Sequence, residues 1–224
     1  MTQEPRTRVG GTGVAPNSAA VTFVTTEHFT LQGARAATIS ESTSRATMFL
    51  SSVSGGLVAL GLVATASGVG TAFYAFGFVL LPTLAFVGLV TFERALQSAI
   101  EDYGYARRIA RLRAYYFENA PELAGYLLSV RPEQRLHMQG LWSGPWQRLR
   151  TVAGMVGVIT AVLVGSTASL VAGVAAGRSL PVGLGSGILV AVATFIVLMR
   201  YHQAAWKRAG TTRLFVQETE TGDR

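Results

Sequence analysis

Four stretches of this chain carry no charged side chain: about 46–67, 71–92, 151–176 and 182–199. Each is near the ~20 residues that an α-helix needs to cross the hydrocarbon layer of a bilayer. In lipid the backbone must satisfy its own N–H and C=O groups, which leaves helices as the way for such segments to cross. The expected fold class is therefore all-α: a polytopic membrane protein with four transmembrane helices in two hairpins and a cytoplasmic helical segment between them. Charged residues make up 14% of the chain, against about 25% in soluble domains. The shortfall lies in these stretches, and segregation of that kind is the membrane pattern.

The turns between paired stretches are short and rich in Gly, through Gly68 and Gly70 in the first and Gly177, Arg178 and Pro181 in the second. The two hairpins show no residue-level repeat. Orientation follows from arginine. Arg6, Arg8, Arg35 and Arg45 precede the first span, nine arginines lie within 93–150, and Arg200, Lys207, Arg208, Arg213 and Arg224 follow the fourth. The first turn has no basic residue and the second only Arg178. The positive-inside rule then places both tails and the central segment in the cytoplasm of a bacterial plasma membrane. Trp142, Trp146, Tyr201 and Trp206 flank the second pair as headgroup anchors. With no apolar core in 1–45, the first span directs insertion.

The expected boundaries are a disordered tail over 1–25, a pre-membrane helix over 26–45, the first hairpin over 46–92, the central segment over 93–150, the second hairpin over 151–200 and a tail over 201–224. Val24 is an alternative start, since bacteria sometimes initiate at GTG codons. Thr26 reads as the cap of the pre-membrane helix, with Glu27 in its first turn. No Gly-Pro break separates Phe92 from Glu93, so 93–118 reads as a continuation of the second span. Asn119, Pro121 and Glu122 then mark a new helix start, ending near Val130.

Function is read from three features. The first is a row of small residues in the third span: Ala153, Gly157, Ala161, Gly165, Ser169, Gly173 and Gly177. Shorter rows are Ser51, Gly55, Ala59 and Gly183, Gly187, Ala191. Such rows let helices approach closely in lipid, within one bundle or between copies, and Gly157, Ala161, Gly165, Ser169 and Gly173 are the candidates for helix packing or a pore. One bundle has limited interior for three rows, which argues for a homo-oligomer. Ser166, Thr167 and Ser169 are the best hydroxyl lining, unless they bond back to their own helix. The second feature is Pro82 in mid-span, where Thr83 is placed to help satisfy the freed carbonyl. The third is the run 103–116, in which Tyr103, Tyr105, Arg107, Arg108 and Arg111 combine guanidinium groups with aromatic rings. That combination suits phosphates and stacked bases. The plainer reading is an orientation signal touching anionic lipids, and a third is a protein-docking face.

Other classes find less support. Spans without ionisable residues argue against proton pumps, ion-coupled transporters and voltage sensors, and against exporters built on a membrane carboxylate. His28, His137 and His202 are scattered, there is no cysteine, and no zinc, nucleophile-elbow or Walker motif occurs. Neither an enzyme nor a cofactor is expected. Glu101 and Asp102 are adjacent, so they diverge on a helix and cannot act as an acid–base pair; they are either solvated or paired with arginines of another helix.

The stretches FTLQGARAATISESTSRATMFLSSVSGGLVALGLVA and VTFERALQSAIEDYGYARRIARLRAYYFENAPE resemble a group of uncharacterised membrane proteins of high-GC Gram-positive bacteria, over roughly 24–175. The resemblance implies four spans and carries no activity. Architecturally the chain is also similar to membrane effectors of bacterial anti-phage systems, the Hailong and CBASS effectors, in which a nucleotide signal controls a channel-like partner. The expectation is thus a homo-oligomeric channel or pore-type effector gated from the cytoplasm by a nucleotide or oligonucleotide. The alternatives are a non-conducting scaffold that docks a cytoplasmic partner, then a small-molecule exporter.

Overall fold

The computed structural model describes the backbone of residues 18–119 and 151–221, with side chains over 19–116 and 151–209. These residues form four helices: α1 (Ser18–Ser67), α2 (Thr71–Asn119), α3 (Val152–Ala175) and α4 (Leu180–Thr221). All four are long and apolar enough to cross a membrane. The 24 residues of α3 span about 36 Å, close to one bilayer thickness. The other three continue well past their apolar portions.

One boundary differs from the sequence reading. The first helix begins at Ser18, and it passes through 45–46 into the span without interruption. Thr26 therefore caps nothing. Its hydroxyl donates to the Thr22 carbonyl at 2.9 Å, inside the helix. Ala-rich turns around Gly33 keep propensity high enough for the helix to persist. Asn119 is the last residue of α2, and the helix start expected there, with Trp142 and Trp146, lies outside the described residues.

The connections are tight. Gly68 takes φ +70° between α1 and α2, and Gly177 takes φ +65° after α3, the left-handed region that glycine enters without penalty. Arg178 follows at φ +69°. The N–H groups of Ala176, Gly177 and Arg178 donate to the carbonyls of Ala172, Val174 and Gly173, which satisfies the end of α3. At its start, the Thr151 hydroxyl accepts from the Gly154 N–H at 3.0 Å. Pro82 leaves α2 continuous. The Thr83 hydroxyl donates to Val79, one residue beyond the Phe78 carbonyl that Pro82 frees, so Thr83 does not answer that carbonyl as expected.

The helices pack in chain order, α1 on α2, α2 on α3 and α3 on α4. α1 barely touches α3, α4 barely touches α2, and α1 and α4 share no contact among the described residues. The result is an open row with α1 and α4 at its edges. Of the most apolar stretch of each helix, 39% is buried in α2 and 33% in α3, against 17% in each edge helix. The centre of the row is built around Phe49 of α1, Phe92 and Leu96 of α2, and Val156 and Thr160 of α3, all almost fully enclosed. A methyl group on Gly88 would collide with the Thr160 hydroxyl and the Phe49 ring, so the missing side chain of Gly88 makes room for both α3 and α1. α3 and α4 meet backbone to backbone. A Cβ on Gly165 would lie 2.6 Å from both the Ala191 Cβ and the Gly187 carbonyl.

Candidate functional site

Beyond the apolar portions, α1 and α2 continue together as a two-helix stalk, reaching roughly 40 Å from the spans at helical rise. Leu31 and Ile109 are buried within it. Polar rungs supply the rest of the register. The Arg35 Nε donates to Asp102 Oδ1 at 2.6 Å and its second nitrogen to Oδ2 at 3.3 Å, a bidentate pair between helices. Glu41 accepts from Arg45 at 2.9 Å and from Arg94 of α2 at 3.4 Å. These hydrogen bonds, that of Arg45 first, hold the Glu41 carboxyl below its ordinary pKa. Farther out, the Thr25 and Tyr116 hydroxyls share a hydrogen bond at 3.2 Å, and the His28 ring meets Tyr116 edge-on. Burial, and then the charge of Arg113, push the His28 pKa below its usual value.

The run singled out in the sequence lies on the α2 half of this stalk. Tyr103, Arg107 and Arg111 follow one another at four-residue spacing, on one face. Arg107 is half-buried, with its guanidinium 5.8 Å from the centre of the Tyr103 ring. Arg108 and Arg111 are exposed. Tyr105 is half-buried and makes no ring contact among the described residues. Arg35, Arg45 and Arg94 all have carboxylate partners, whereas Arg107, Arg108 and Arg111 have none among the described residues. Of the adjacent acids, Asp102 is the partner of Arg35, and Glu101 is exposed.

The small-residue row of α3 is taken up inside the chain. Gly157 faces Phe92 of α2, and Ala161 is buried. Gly165, Ser169 and Gly173 face Ala191, Gly187 and Gly183 of α4, so two of the three rows in the sequence pack against each other. Within one copy these five residues lie at helix contacts, the packing side of the two roles considered for them. The Thr167 hydroxyl likewise bonds back to Leu163 at 2.9 Å. The third row behaves differently: Ser51 and Gly55 are exposed, and a methyl group on Gly55 would meet nothing.

Trp206, expected as a headgroup anchor, is half-buried, packed against the central cluster and edge-on to Tyr103 of α2 at 5.7 Å. His202, 4% exposed, meets the Trp206 ring at 6.4 Å. His202 and Trp206 are one turn apart on α4, so their contact follows from spacing, whereas the Tyr103 contact crosses from α2 and depends on where α3 begins. Among the described residues no three His, Asp or Glu side chains converge as a metal site would require. No protein-family model, curated protein or solved structure matches the chain.

Proposed function

We propose that the chain is a multi-pass protein of the bacterial cytoplasmic membrane that assembles with copies of itself into a channel, opened from the cytoplasmic end by a phosphate-bearing ligand such as a nucleotide or short oligonucleotide. Arginine placement argues for two hairpins with both tails and residues 93–150 in the cytoplasm. Control of a membrane pore by such a signal is the logic of an anti-phage effector, and that is the role this reading assigns.

The observation that carries the reading is the contrast among the stalk arginines. Three are matched to carboxylates, while Arg107, Arg108, Arg111 and Arg113 have no acidic partner among the described residues; Arg113 lies beside His28, and the other three stand together. Arg107 and Arg111 share one helix face and Arg108 flanks it one turn before Arg111, and guanidinium groups grouped in this way and left unmatched form an anion-binding surface. Assembly is supported by the open row, since a single copy with α1 and α4 apart encloses no path among the described residues. Of the two open edges, α4 presents large apolar side chains such as Leu184, Ile188 and Val192, and the polar one is the outward face of α1, opposite the buried Phe49 and Val53. It exposes Ser51, Ser54, Val58 and Gly61, hydroxyl and small groups suited to a narrow aqueous lining around a valine constriction, while the Thr47 and Thr65 hydroxyls on the same face bond back to Thr43 and Gly61. In this reading α1 takes the lining role first expected of α3.

The test is ion flux from liposomes carrying the purified protein, with and without candidate nucleotides. The Arg107→Glu/Arg111→Glu variant is expected to lose ligand-dependent flux while inserting normally; flux that still follows the ligand removes the site. The second reading, a scaffold, draws on the length of the stalk. It gains if no conductance is found and a cytoplasmic protein co-purifies in fixed ratio.

A further inference from the structure

We infer that the ring stack running from Arg107 through Tyr103 and Trp206 to His202 reports occupancy of the arginine face to α4. The inference rests on the reading of Arg107, Arg108 and Arg111 as a phosphate site, and adds how that site is coupled to the spans.

Across most of their length α2 and α4 scarcely touch, because α3 stands between them. Gly157 against Met199 and Gly165 against Gly187 set the α3–α4 register. Followed downward, that register exhausts α3 at Val152, opposite the turn of α4 that carries His202 and Trp206. The gap below α3 is bridged by one ring contact, which continues to His202 one turn back along α4. Tyr103 of α2 meets Trp206 of α4 at 5.7 Å and 72°, and Trp206 meets the enclosed His202 at 6.4 Å and 61°. Edge-to-face geometry at these separations is a favourable aromatic contact. Arg107 lies over the same Tyr103 ring at 5.8 Å.

Arg107 thus has two alternative partners. Turned inward, it rests on Tyr103; turned outward, it joins Arg108 and Arg111 on an anion. A ligand moves an equilibrium only as far as it favours one state over the other. Here that difference is built in, because an anion held by Arg107 competes with the ring for the same guanidinium. Releasing the ring alters the contact that joins α2 to α4. Tyr103 and Trp206 act as positioning residues, and the ligand class is any group presenting a phosphate, whether free or on a lipid.

The experiment uses the full chain labelled with 5-fluorotryptophan in nanodiscs of neutral phosphatidylcholine. The Trp206 fluorine resonance is assigned by its loss in Trp206→Phe. Inorganic pyrophosphate is the probe, and its binding is measured separately by equilibrium dialysis. Pyrophosphate is expected to shift the Trp206 resonance saturably, with the shift kept in Tyr103→Phe, lost in Tyr103→Leu and lost in Arg107→Gln. Binding without any movement of Trp206 overturns the coupling and leaves the phosphate site standing, as does a full response in Tyr103→Leu. No pyrophosphate binding, together with no Trp206 shift in the lipid arm that follows, overturns both. In a second arm phosphatidylglycerol replaces part of the lipid. A shift there, with none from pyrophosphate, keeps the coupling, assigns the phosphate to lipid and removes the soluble ligand.

Discussion

The two sequential helix pairs are held together in opposite ways. α3 and α4 meet through missing side chains, with Gly165, Gly173, Gly183 and Gly187 letting the backbones approach. α1 and α2 meet through side chains, the Phe49 ring near Gly88 in the apolar part and ionic rungs in the stalk. Lipid offers no hydrophobic gain for bringing helices together, so close van der Waals fit has to supply it. A fit of that kind tolerates almost no displacement. Long polar side chains on exposed rungs tolerate a good deal. The α3–α4 pair is therefore the rigid half, and α1–α2 is the half able to move relative to it.

The strongest way to break this comparison is a methyl-bearing residue in the rigid contact. Gly165→Val places its Cβ against the Gly187 carbonyl and the Ala191 methyl, and backbone cannot yield as a flexible side chain would. A loss of about 1–3 kcal/mol is expected, the usual range for overpacking, read as a lowered midpoint in thermal unfolding in detergent. Gly55→Ala is the matched control on α1. Its new methyl meets nothing within the chain, so the monomer's midpoint should hold or rise, by up to about 1 kcal/mol, as Ala replaces Gly inside a helix. Equal losses in the two variants would remove the contrast.

The apolar stretches were legible because lack of charge over a bilayer's thickness has few other physical readings. The small-residue rows were legible as contact surfaces, yet their pairing was not. Gly165 finds Gly187 only once the turn at Gly177 and Arg178 sets the α3–α4 register, and nothing in the α3 row distinguishes a neighbour in the same chain from one in another copy. The candidate arginines could be named from their spacing. That they lack acidic partners could not, because Arg35 and Asp102 are 67 positions apart and their meeting depends on the antiparallel register of two long helices. The Ser/Thr-rich start of α1 misled for a related reason. Hydroxyl residues mark caps in sequence, but here the Thr26 hydroxyl, like those of Thr30, Thr38, Thr43 and Thr47, bonds to the carbonyl one turn back. In lipid or in water a helix accommodates that geometry without ending.

The ionic rungs give the next effect in size. Asp102→Asn keeps the shape and removes the charge facing Arg35, whose side chain is 30% exposed against 27% for Asp102. Solvent screening limits the loss to about 1 kcal/mol. It should appear as faster hydrogen exchange in the stalk with no change in α3 or α4, and the exchanged pair Arg35→Asp/Asp102→Arg should restore part of the protection. Faster exchange throughout would mean that the stalk and the spans unfold as one unit.

Acid should loosen the same stalk in two steps. The His28 pKa is lowered in the fold from an ordinary value of 6.5, by burial first and by Arg113 second. Below pH 6.5 the unfolded stalk therefore takes up a proton that the folded stalk resists, so stability present above 6.5 is lost as pH falls through the folded value. Glu41 is lowered from 4.5 by its hydrogen bonds to Arg45 and Arg94, so its rung holds until pH falls below 4.5 and then weakens. Exchange followed from pH 7 to 4 should show protection lost first around His28 and only afterwards around Glu41. His28→Gln should abolish the first step and leave the second.

The smallest effect tests whether the turn end is as finely balanced as its geometry implies. Arg178 occupies left-handed backbone at φ +69°, a conformation that costs an ordinary residue about 1–2 kcal/mol. Its guanidinium lies over the Tyr74 ring at 5.5 Å, an attraction worth roughly 0.5–1 kcal/mol at an exposed site. Arg178→Gly relieves the strain and removes the cation–π attraction together. The two changes nearly cancel, and the unfolding midpoint should move up by a degree or two at most. Tyr74→Leu removes only the attraction and should lower the midpoint. Adding Arg178→Gly to Tyr74→Leu should then stabilise by more than it does alone, because the guanidinium no longer has a ring to leave. That non-additivity is the signature of a residue held against its backbone preference by one ring from the neighbouring turn. Strict additivity would mean that the ring contributes nothing and that the φ of Arg178 is set by the hydrogen bond from its N–H to the Gly173 carbonyl alone.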